Sequence, residues 1–262
     1  MRPFNARSLV LSILLGLDPP VLPVRSLVAV GELFGIAPGT MRTALSRMVA
    51  AGDLSINDEG YRLVGRLLER KAAQDIGRRP ASGAWDGAWW VAVVTASRRS
   101  IADRRAFRTH MANLRMGELR PDTWMRPGNL AGPAGDGSLA VVRGELTGED
   151  PVDLAGRLWP LPSLAVTATR LTAHLADATP ALRDGDAAAV PPSIALAAEV
   201  VRFLRAEPLL PVELTPDPWP PDELRERYRE FDRLVGRSLQ TVLSFENRPI
   251  GRQSKDSTVS AG

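Results

Sequence analysis

The segment FGIAPGTMRTALSRMVAAGDL, residues 34–54, decides the expected fold of the N-terminal part of the chain. Pro38 follows a tight turn and starts a predicted helix, and Gly52 ends it, as glycine often does just after a helix C-terminus. Apolar residues recur at helical spacing and commit one face of this helix to a core. They are Met41, Ala44, Leu45, Met48 and Val49. The opposite face carries no acid among its four polar residues, which are Arg42, Thr43, Ser46 and Arg47.

Two helices and a hairpin are predicted around this segment. Asn5 caps a first, mostly buried helix, which ends at Asp18-Pro19-Pro20. A second helix through residues 27–34 stops at Gly35. Short strands at residues 54–56 and 61–63 flank a turn. This order is typical of a winged helix-turn-helix, whose second helix enters the major groove of DNA, about 12 Å wide. The DNA-binding candidates are Thr40, Arg42, Thr43, Ser46 and Arg47 on the helix and Asn57 and Arg62 on the wing.

Other interpretations of these residues stay open. The polar face could be the solvated side of an ordinary amphipathic helix, and the winged helix could serve protein contact or dimerisation without reading an operator. Asn57 could simply form the turn, and Arg62 could be a surface charge. The face with Arg42 and Arg47 distinguishes DNA binding from protein contact. A helix that binds DNA through such residues releases counterions, so its affinity falls as the salt concentration rises.

Composition narrows the class of protein. The 262 residues carry a formal charge of +3, and the excess of basic residues lies in residues 1–80. With no cysteine and two histidines, His110 and His174, a zinc site is not expected, and no metal is predicted. The apolar run at residues 9–17 resembles a signal peptide, but no small-residue cleavage site follows it. Since no stretch approaches the roughly 20 apolar residues of a membrane span, we predict a cytoplasmic protein without membrane contact.

The remaining two thirds of the chain predict two further units. A strand at residues 88–95, apolar on both faces, precedes a helix through Phe107, Met111 and Leu114. Strands at 119–125 and 139–146 complete an order compatible with a ferredoxin-like fold. The C-terminal part is helical, with Asp150 as the first cap. Its helices are predicted at residues 151–159, 163–177, 193–206 and 222–245.

The predicted fold class is therefore α+β. The domains are expected at residues 1–76 (winged helix-turn-helix), 84–149 (ferredoxin-like) and 150–246 (helical, for dimerisation and sensing), with a disordered tail at 247–262.

Motifs for catalysis are missing from the sequence. It has no nucleophile elbow, phosphate loop, dinucleotide fingerprint or HExxH motif. Metal-dependent nucleases with a ferredoxin-like fold place an aspartate near the end of the first strand. Here that strand ends Val93-Val94-Thr95. We therefore predict no enzyme and no catalytic residue, and a nuclease remains the weaker alternative.

Four blocks in the same order resemble the PaaX-like repressors of phenylacetic acid degradation. They are MRTALSRMVAAGDL (41–54), WDGAWWVAVV (85–94), LRPDTWMRP (119–127) and FLRAEPLLPVELTPDPWP (203–220). The resemblance implies a homodimeric repressor that binds double-stranded operator DNA through a winged-helix domain. It also implies release from DNA when an acyl-CoA thioester binds, typically phenylacetyl-CoA.

One departure from the family pattern lies just before the recognition helix. Family members commonly have a capping side chain before the recognition helix, whereas Ala37 offers none and Pro38 must define the start.

No cofactor is predicted beyond the acyl-CoA effector. Trp124 and Arg126 are the candidate effector residues, because an aromatic face and a guanidinium suit the acyl and phosphate ends of a thioester ligand.

Overall fold

The computed structural model describes residues 4–79, 84–95, 100–135 and 137–246. The fold is α+β and mostly helical, with two small antiparallel sheets. The helices are α1 (Ala6–Gly16), α2 (Val24–Leu33), α3 (Pro38–Ala50), α4 (Arg66–Arg78), α5 (Ile101–Asn113), α6 (Pro151–Leu158), α7 (Leu161–Arg183), α8 (Val190–Ala206) and α9 (Pro220–Glu246). The strands are β1 (Val21–Leu22), β2 (Leu54–Asn57), β3 (Gly60–Leu63), β4 (Ala88–Val94), β5 (Gly117–Arg120), β6 (Thr123–Pro127) and β7 (Leu139–Glu145). The tail predicted at 247–262 lies outside the described residues.

The N-terminal unit contains the predicted helices and hairpin. Asn5 caps α1, and its Oδ1 accepts a hydrogen bond from the Ser8 backbone N–H at 2.8 Å. The hairpin β2–β3 joins β1 in a three-stranded sheet of order β1-β3-β2. The sequence did not predict β1, because two residues between Pro20 and Pro23 are too few to show strand alternation.

The ends of α2 and α3 fix the turn that separates them and the start of the hairpin. Gly35 has φ +68° and Gly52 has φ +70°, the left-handed region that glycine adopts without strain. After α3, the Asp53 N–H donates to the Met48 carbonyl at 2.9 Å and the Gly52 N–H donates to Val49 at 3.0 Å. This is a Schellman motif, and it ends α3 where the sequence predicted.

The middle unit has the predicted strand-helix-strand order, with two corrections. Its sheet runs β5-β6-β4-β7, with every neighbouring pair antiparallel. The single strand predicted at 119–125 is two strands, because Pro121 and Asp122 form a turn and Asp122 has φ +66°. Strand β4 is not buried along both faces, since Val93 near its end is 39% exposed.

Helix boundaries in the C-terminal part extend beyond the predictions. Helices α8 and α9 begin at Val190 and Pro220, because prolines fit the first turn of a helix, where no N–H is needed. Helix α7 continues through Pro180 to Arg183, beyond the predicted end at residue 177, although a proline within a helix removes one backbone hydrogen bond. Leu182, beyond the proline, is buried in the core, and this packing offsets the lost hydrogen bond.

The N-terminal and C-terminal units share one hydrophobic core. Buried residues of α1 and α3 lie in the same cluster as those of α7, α8 and α9, for example Leu9, Leu45, Leu171, Val200 and Phe231. The sequence predicted separate units at 1–76 and 150–246. In the structure, the helices that follow the middle unit pack against those that precede it.

A buried ionic cluster joins all three parts. Glu207, fully buried after α8, pairs with Arg225 of α9. The Arg225 Nε donates to the Gly77 carbonyl of α4 at 3.2 Å, and its Nη1 donates to Asp222 at 2.6 Å. From the middle unit, the Arg115 guanidinium donates to the backbone carbonyl of Glu207. This cluster therefore fixes how the three parts meet.

One helical segment corrects a prediction about membranes. Residues Ala187–Ala206 are long and apolar enough to cross a bilayer by length and composition, contrary to the expectation that no stretch comes close. Val190, Ile194, Val200 and Leu204 of this segment pack in the shared core. Such burial is typical of a core helix.

Candidate nucleic-acid interface

Helix α3 presents two faces, as its sequence predicted. Its core side is buried, with Met41, Leu45 and Met48 at most 1% exposed. Ala44 and Val49 are half-buried at the border. All five polar candidates on the helix are exposed: Thr40, Arg42, Thr43, Ser46 and Arg47. The polar face of α3 is therefore not covered by the rest of its own chain.

The polar side chains form two adjacent rows. Residues four apart lie on one side of a helix, so Arg42 and Ser46 share one row and Thr43 and Arg47 share the next. The Ser46 hydroxyl donates to the Arg42 carbonyl at 3.1 Å, and the Thr43 hydroxyl donates to Gly39 at 2.9 Å. Both hydroxyl oxygens keep lone pairs as acceptors. Among the described residues, neither Arg42 nor Arg47 forms an ion pair, so both guanidinium groups can donate to an external acceptor.

The wing is less suited to phosphate contact. Asn57 forms the turn, since its Oδ1 accepts from the backbone N–H groups of Glu59 and Gly60 at 3.1 Å each. Arg62 lies 3.8 Å from the Glu59 carboxylate, which partly neutralises it. Asp58 and Glu59 at the tip add negative charge. These contacts favour the turn-forming interpretation of Asn57, and DNA contact by the wing stays a prediction.

A buried aspartate holds the end of α3, and sequence analysis missed it. Asp53 follows the Schellman glycine, and its side chain is 1% exposed. Its carboxylate accepts from Arg7 of α1 at 2.5 Å and from Arg66 of α4 at 3.0 Å. The signal in the sequence was an acid between Gly52 and an apolar strand residue. Asp53 thus ties the end of α3 to α1 and α4.

Removal of the Asp53 charge is expected to destabilise the fold in a pH-dependent way. The hydrogen bond from Arg7 is the largest of the effects that hold the pKa of Asp53 below its ordinary value of 3.8. A lowered folded-state pKa gives stability that is present above the unfolded pKa and is lost as pH falls through the folded pKa. At pH 7, Asp53→Asn should lower the free energy of unfolding by about 1 kcal/mol. As pH falls through the lowered pKa of Asp53, the variant and the parent should converge.

Urea unfolding at several pH values measures this difference. Glu226→Gln is the control, because Glu226 is exposed and only loosely paired with Arg229 at 4.0 Å. A constant gap between Asp53→Asn and the parent across the acidic range would contradict the expected role of the carboxylate.

Trp124 and Arg126, predicted to hold an effector, lie inside the fold. Trp124 is 6% exposed and packs its ring against Phe107. The Arg126 guanidinium donates to the carbonyls of Leu114 and Pro127 and to Asn129. Burial lowers the pKa of Arg126 to about 10. Since each of its nitrogens already has a protein acceptor, Arg126 serves the packing of the middle unit, and its effector role stays an untested prediction.

Features of an enzyme site are scarce in the part of the chain that the structure describes. His110 and His174 are both exposed, on α5 and α7. No three histidine, cysteine, aspartate or glutamate side chains among the described residues lie together as metal ligands would.

Comparisons with known proteins agree with the N-terminal geometry. A solved structure, the uncharacterized protein Rv0674 from Mycobacterium tuberculosis, is 37% identical over 91% of this chain and 99% of that one, with a TM-score of 0.70. No match was found among curated proteins. The family model described as PaaX-like protein matches residues 5–67, which hold α1, α2, α3 and the hairpin. The N-terminal part of the chain therefore belongs to the PaaX-like family.

Proposed function

We propose that this protein is a DNA-binding transcription regulator whose α3 enters the major groove of an operator. Membership of the PaaX-like family indicates a transcription regulator rather than an enzyme. One observation carries the DNA-binding part: α3 exposes two rows of polar side chains without an acid, and its two arginines form no ion pair with any described residue. Arginine can bond guanine O6 and N7 through both arms of its fork, and Ser and Thr reach bases or phosphates.

The finer architecture belongs to the same proposal. Residues 6–63 would form a winged helix-turn-helix, with α2 and α3 as its helix pair and β2–β3 as its wing. Residues 88–145 would form a ferredoxin-like unit, and a central β4 that pairs with both β6 and β7 supports this assignment. The described residues between β6 and β7, 128–135 and 137–138, contain no second crossover helix.

The regulatory details rest on resemblance alone. The protein would act as a cytoplasmic homodimeric repressor, and an acyl-CoA such as phenylacetyl-CoA would lower its operator affinity. Titration calorimetry across aryl- and alkyl-acyl-CoA compounds would measure that response. If none of them bound, the effector would be dropped and the DNA-binding proposal would remain.

A winged helix used only for protein contact is the second candidate. The wing favours it, because Ile56 is 61% exposed and the tip carries two acids. A packing module would bury Ile56 against another protein rather than against phosphates.

Salt dependence separates the two candidates. Genome-wide footprinting would first identify bound sites, and gel shifts would then measure the affinity for one site between 50 and 200 mM salt. A regulator that makes several phosphate contacts should lose roughly 10³-fold or more in affinity over this range. A protein that showed no bound sites, or an affinity independent of salt, would contradict the proposal and favour the packing module.

A further inference from the structure

A cavity of about 160 Å³ lies between α1, α4, α8 and α9. Its walls bring the helix before the helix-turn-helix segment together with the C-terminal helices. The apolar part of the lining includes Leu11, Leu15, Ile194, Val201 and Leu239. A cavity of about 150 Å³ with apolar walls holds a benzene molecule. The cavity as a whole is therefore large enough for one aromatic ring or a short acyl chain.

Cationic side chains border this cavity without matching acids. Arg70 of α4 and Arg202 and Arg205 of α8 line it, and none of the three forms an ion pair within the described part of the chain. Partial burial is the largest cause that lowers the pKa of Arg70. Repulsion from the positive charges of Arg205, Arg202 and Arg7 lowers this pKa further. Like charges gathered beside an apolar wall repel one another, and an anion would relieve that repulsion.

The acid that lines the cavity is already occupied. Asp232 accepts a hydrogen bond from the Tyr228 hydroxyl at 2.9 Å and lies 3.8 Å from the Arg78 guanidinium. Arg78 also lies over the Tyr228 ring, 5.6 Å from its centre. Asp232 therefore balances Arg78, and the other three arginines keep their positive charge.

A buried amide supplies an independent sign of a ligand. Gln74 of α4 lines the cavity, is 6% exposed, and its Oε1 has no hydrogen-bond partner among the described residues. A buried acceptor without a partner costs about 1–3 kcal/mol, so such atoms are rare in folded proteins. A ligand N–H or O–H would satisfy this oxygen.

We propose that this cavity binds a small organic anion, with its apolar group among the leucines of α1, its N–H or O–H at Gln74 and its negative group at Arg70 and Arg202. Such a ligand would join α1 and α4 to α8. Helix α1 shares the core with the buried side of α3, so a ligand that shifts α1 would also shift the DNA-binding face. This regulatory consequence rests on the proposed function, whereas binding itself does not.

Hippurate is a suitable first probe, because it combines an aromatic ring, an amide N–H and a carboxylate. Phenyl phosphate and benzoyl-CoA separate carboxylate from phosphate recognition. Calorimetry and thermal unfolding of the full chain would measure binding. At least one of the three probes should bind and raise the melting temperature.

Two variants and one control test whether the ligand binds in this cavity. Ala198→Phe fills the cavity, and Arg202→Gln removes a cation on the exposed side without a change in the core. Each should weaken binding about tenfold or more. Arg104→Gln is the matched control, since Arg104 is exposed on α5 away from the cavity, and it should bind like the parent.

Several outcomes would overturn the inference while leaving DNA binding intact. One is that none of the three probes binds, and another is that both variants bind the probes as tightly as the parent does. A third is that Arg202→Gln weakens ligand-free operator binding as strongly as changes on α3 do, which would assign the arginines to a phosphate-contacting surface. A chain that binds a probe at this cavity but never binds DNA would support the cavity and contradict only the proposed function.

Discussion

The double variant Arg42→Ala/Arg47→Ala is expected to bind its operator roughly 2–6 kcal/mol more weakly than the parent, because each specific arginine contact contributes roughly 1–3 kcal/mol. Both residues are exposed and unpaired within the described chain, so their removal leaves no group without a partner inside the protein. The melting temperature should therefore stay nearly unchanged. Gel-shift titration on a footprinted site measures the affinity.

A charge-matched control separates specific contact from bulk electrostatics. Arg104→Ala/Arg105→Ala removes the same charge from the exposed surface of α5. We expect this control to keep most of the parent's affinity and the parent's salt dependence. Equal affinity for the α3 variant and the parent would remove α3 from the DNA interface.

Replacement of Arg225 by methionine is expected to lower the free energy of unfolding by about 3–5 kcal/mol. The Arg225 side chain is 3% exposed, and it pairs with a Glu207 carboxylate that is fully buried. Without it, Glu207 Oε2 loses its partner, and Oε1 already lacks one among the described residues. The Gly77 carbonyl of α4 loses its donor as well. Since domains are stable by about 5–15 kcal/mol, the loss would be a large fraction of the total.

Arg227→Met tests whether this effect depends on burial. Arg227 lies on the same helix and pairs with Glu223 at 2.9 Å, but its side chain is 52% exposed. An exposed pair contributes at most about 1 kcal/mol. Urea unfolding of both variants gives the comparison, and a similar small loss for both would show that the buried cluster does not hold the three parts together.

Local signals predicted the candidate interface well. The spacing of Met41, Leu45 and Met48 placed Arg42 and Arg47 on the exposed face, because a helix with one buried stripe leaves the residues between it to solvent. Caps and breakers also act within a few residues, so Asn5 and Gly52 marked true helix ends. These predictions needed no knowledge of distant parts of the chain.

Long-range features could not be predicted in this way. The shared core joins α1 to α9. The hydrophobic periodicity within each helix predicts a buried face but does not indicate which other helix packs against it. The cavity takes its lining residues from both ends of the chain, and no local pattern in the sequence indicates that Arg70 and Arg202 border the same space. Arg126 looked available for a ligand because the carbonyl of Leu114, which accepts from it, belongs to another element. The strand at 119–125 was different, since Pro121 and Asp122 did carry a local turn signal.

The most direct test uses the absence of cysteine from the chain. Ser46→Cys, on the exposed face of α3, gives one thiol that can carry an iron chelate able to cleave nearby DNA. Thr169→Cys, exposed on α7, is the matched control. If α3 enters the major groove, the chelate at position 46 should cut the bound operator at a few adjacent bases, and the chelate at position 169 should not. Intact operator DNA with the labelled Ser46→Cys protein bound to it would contradict the account.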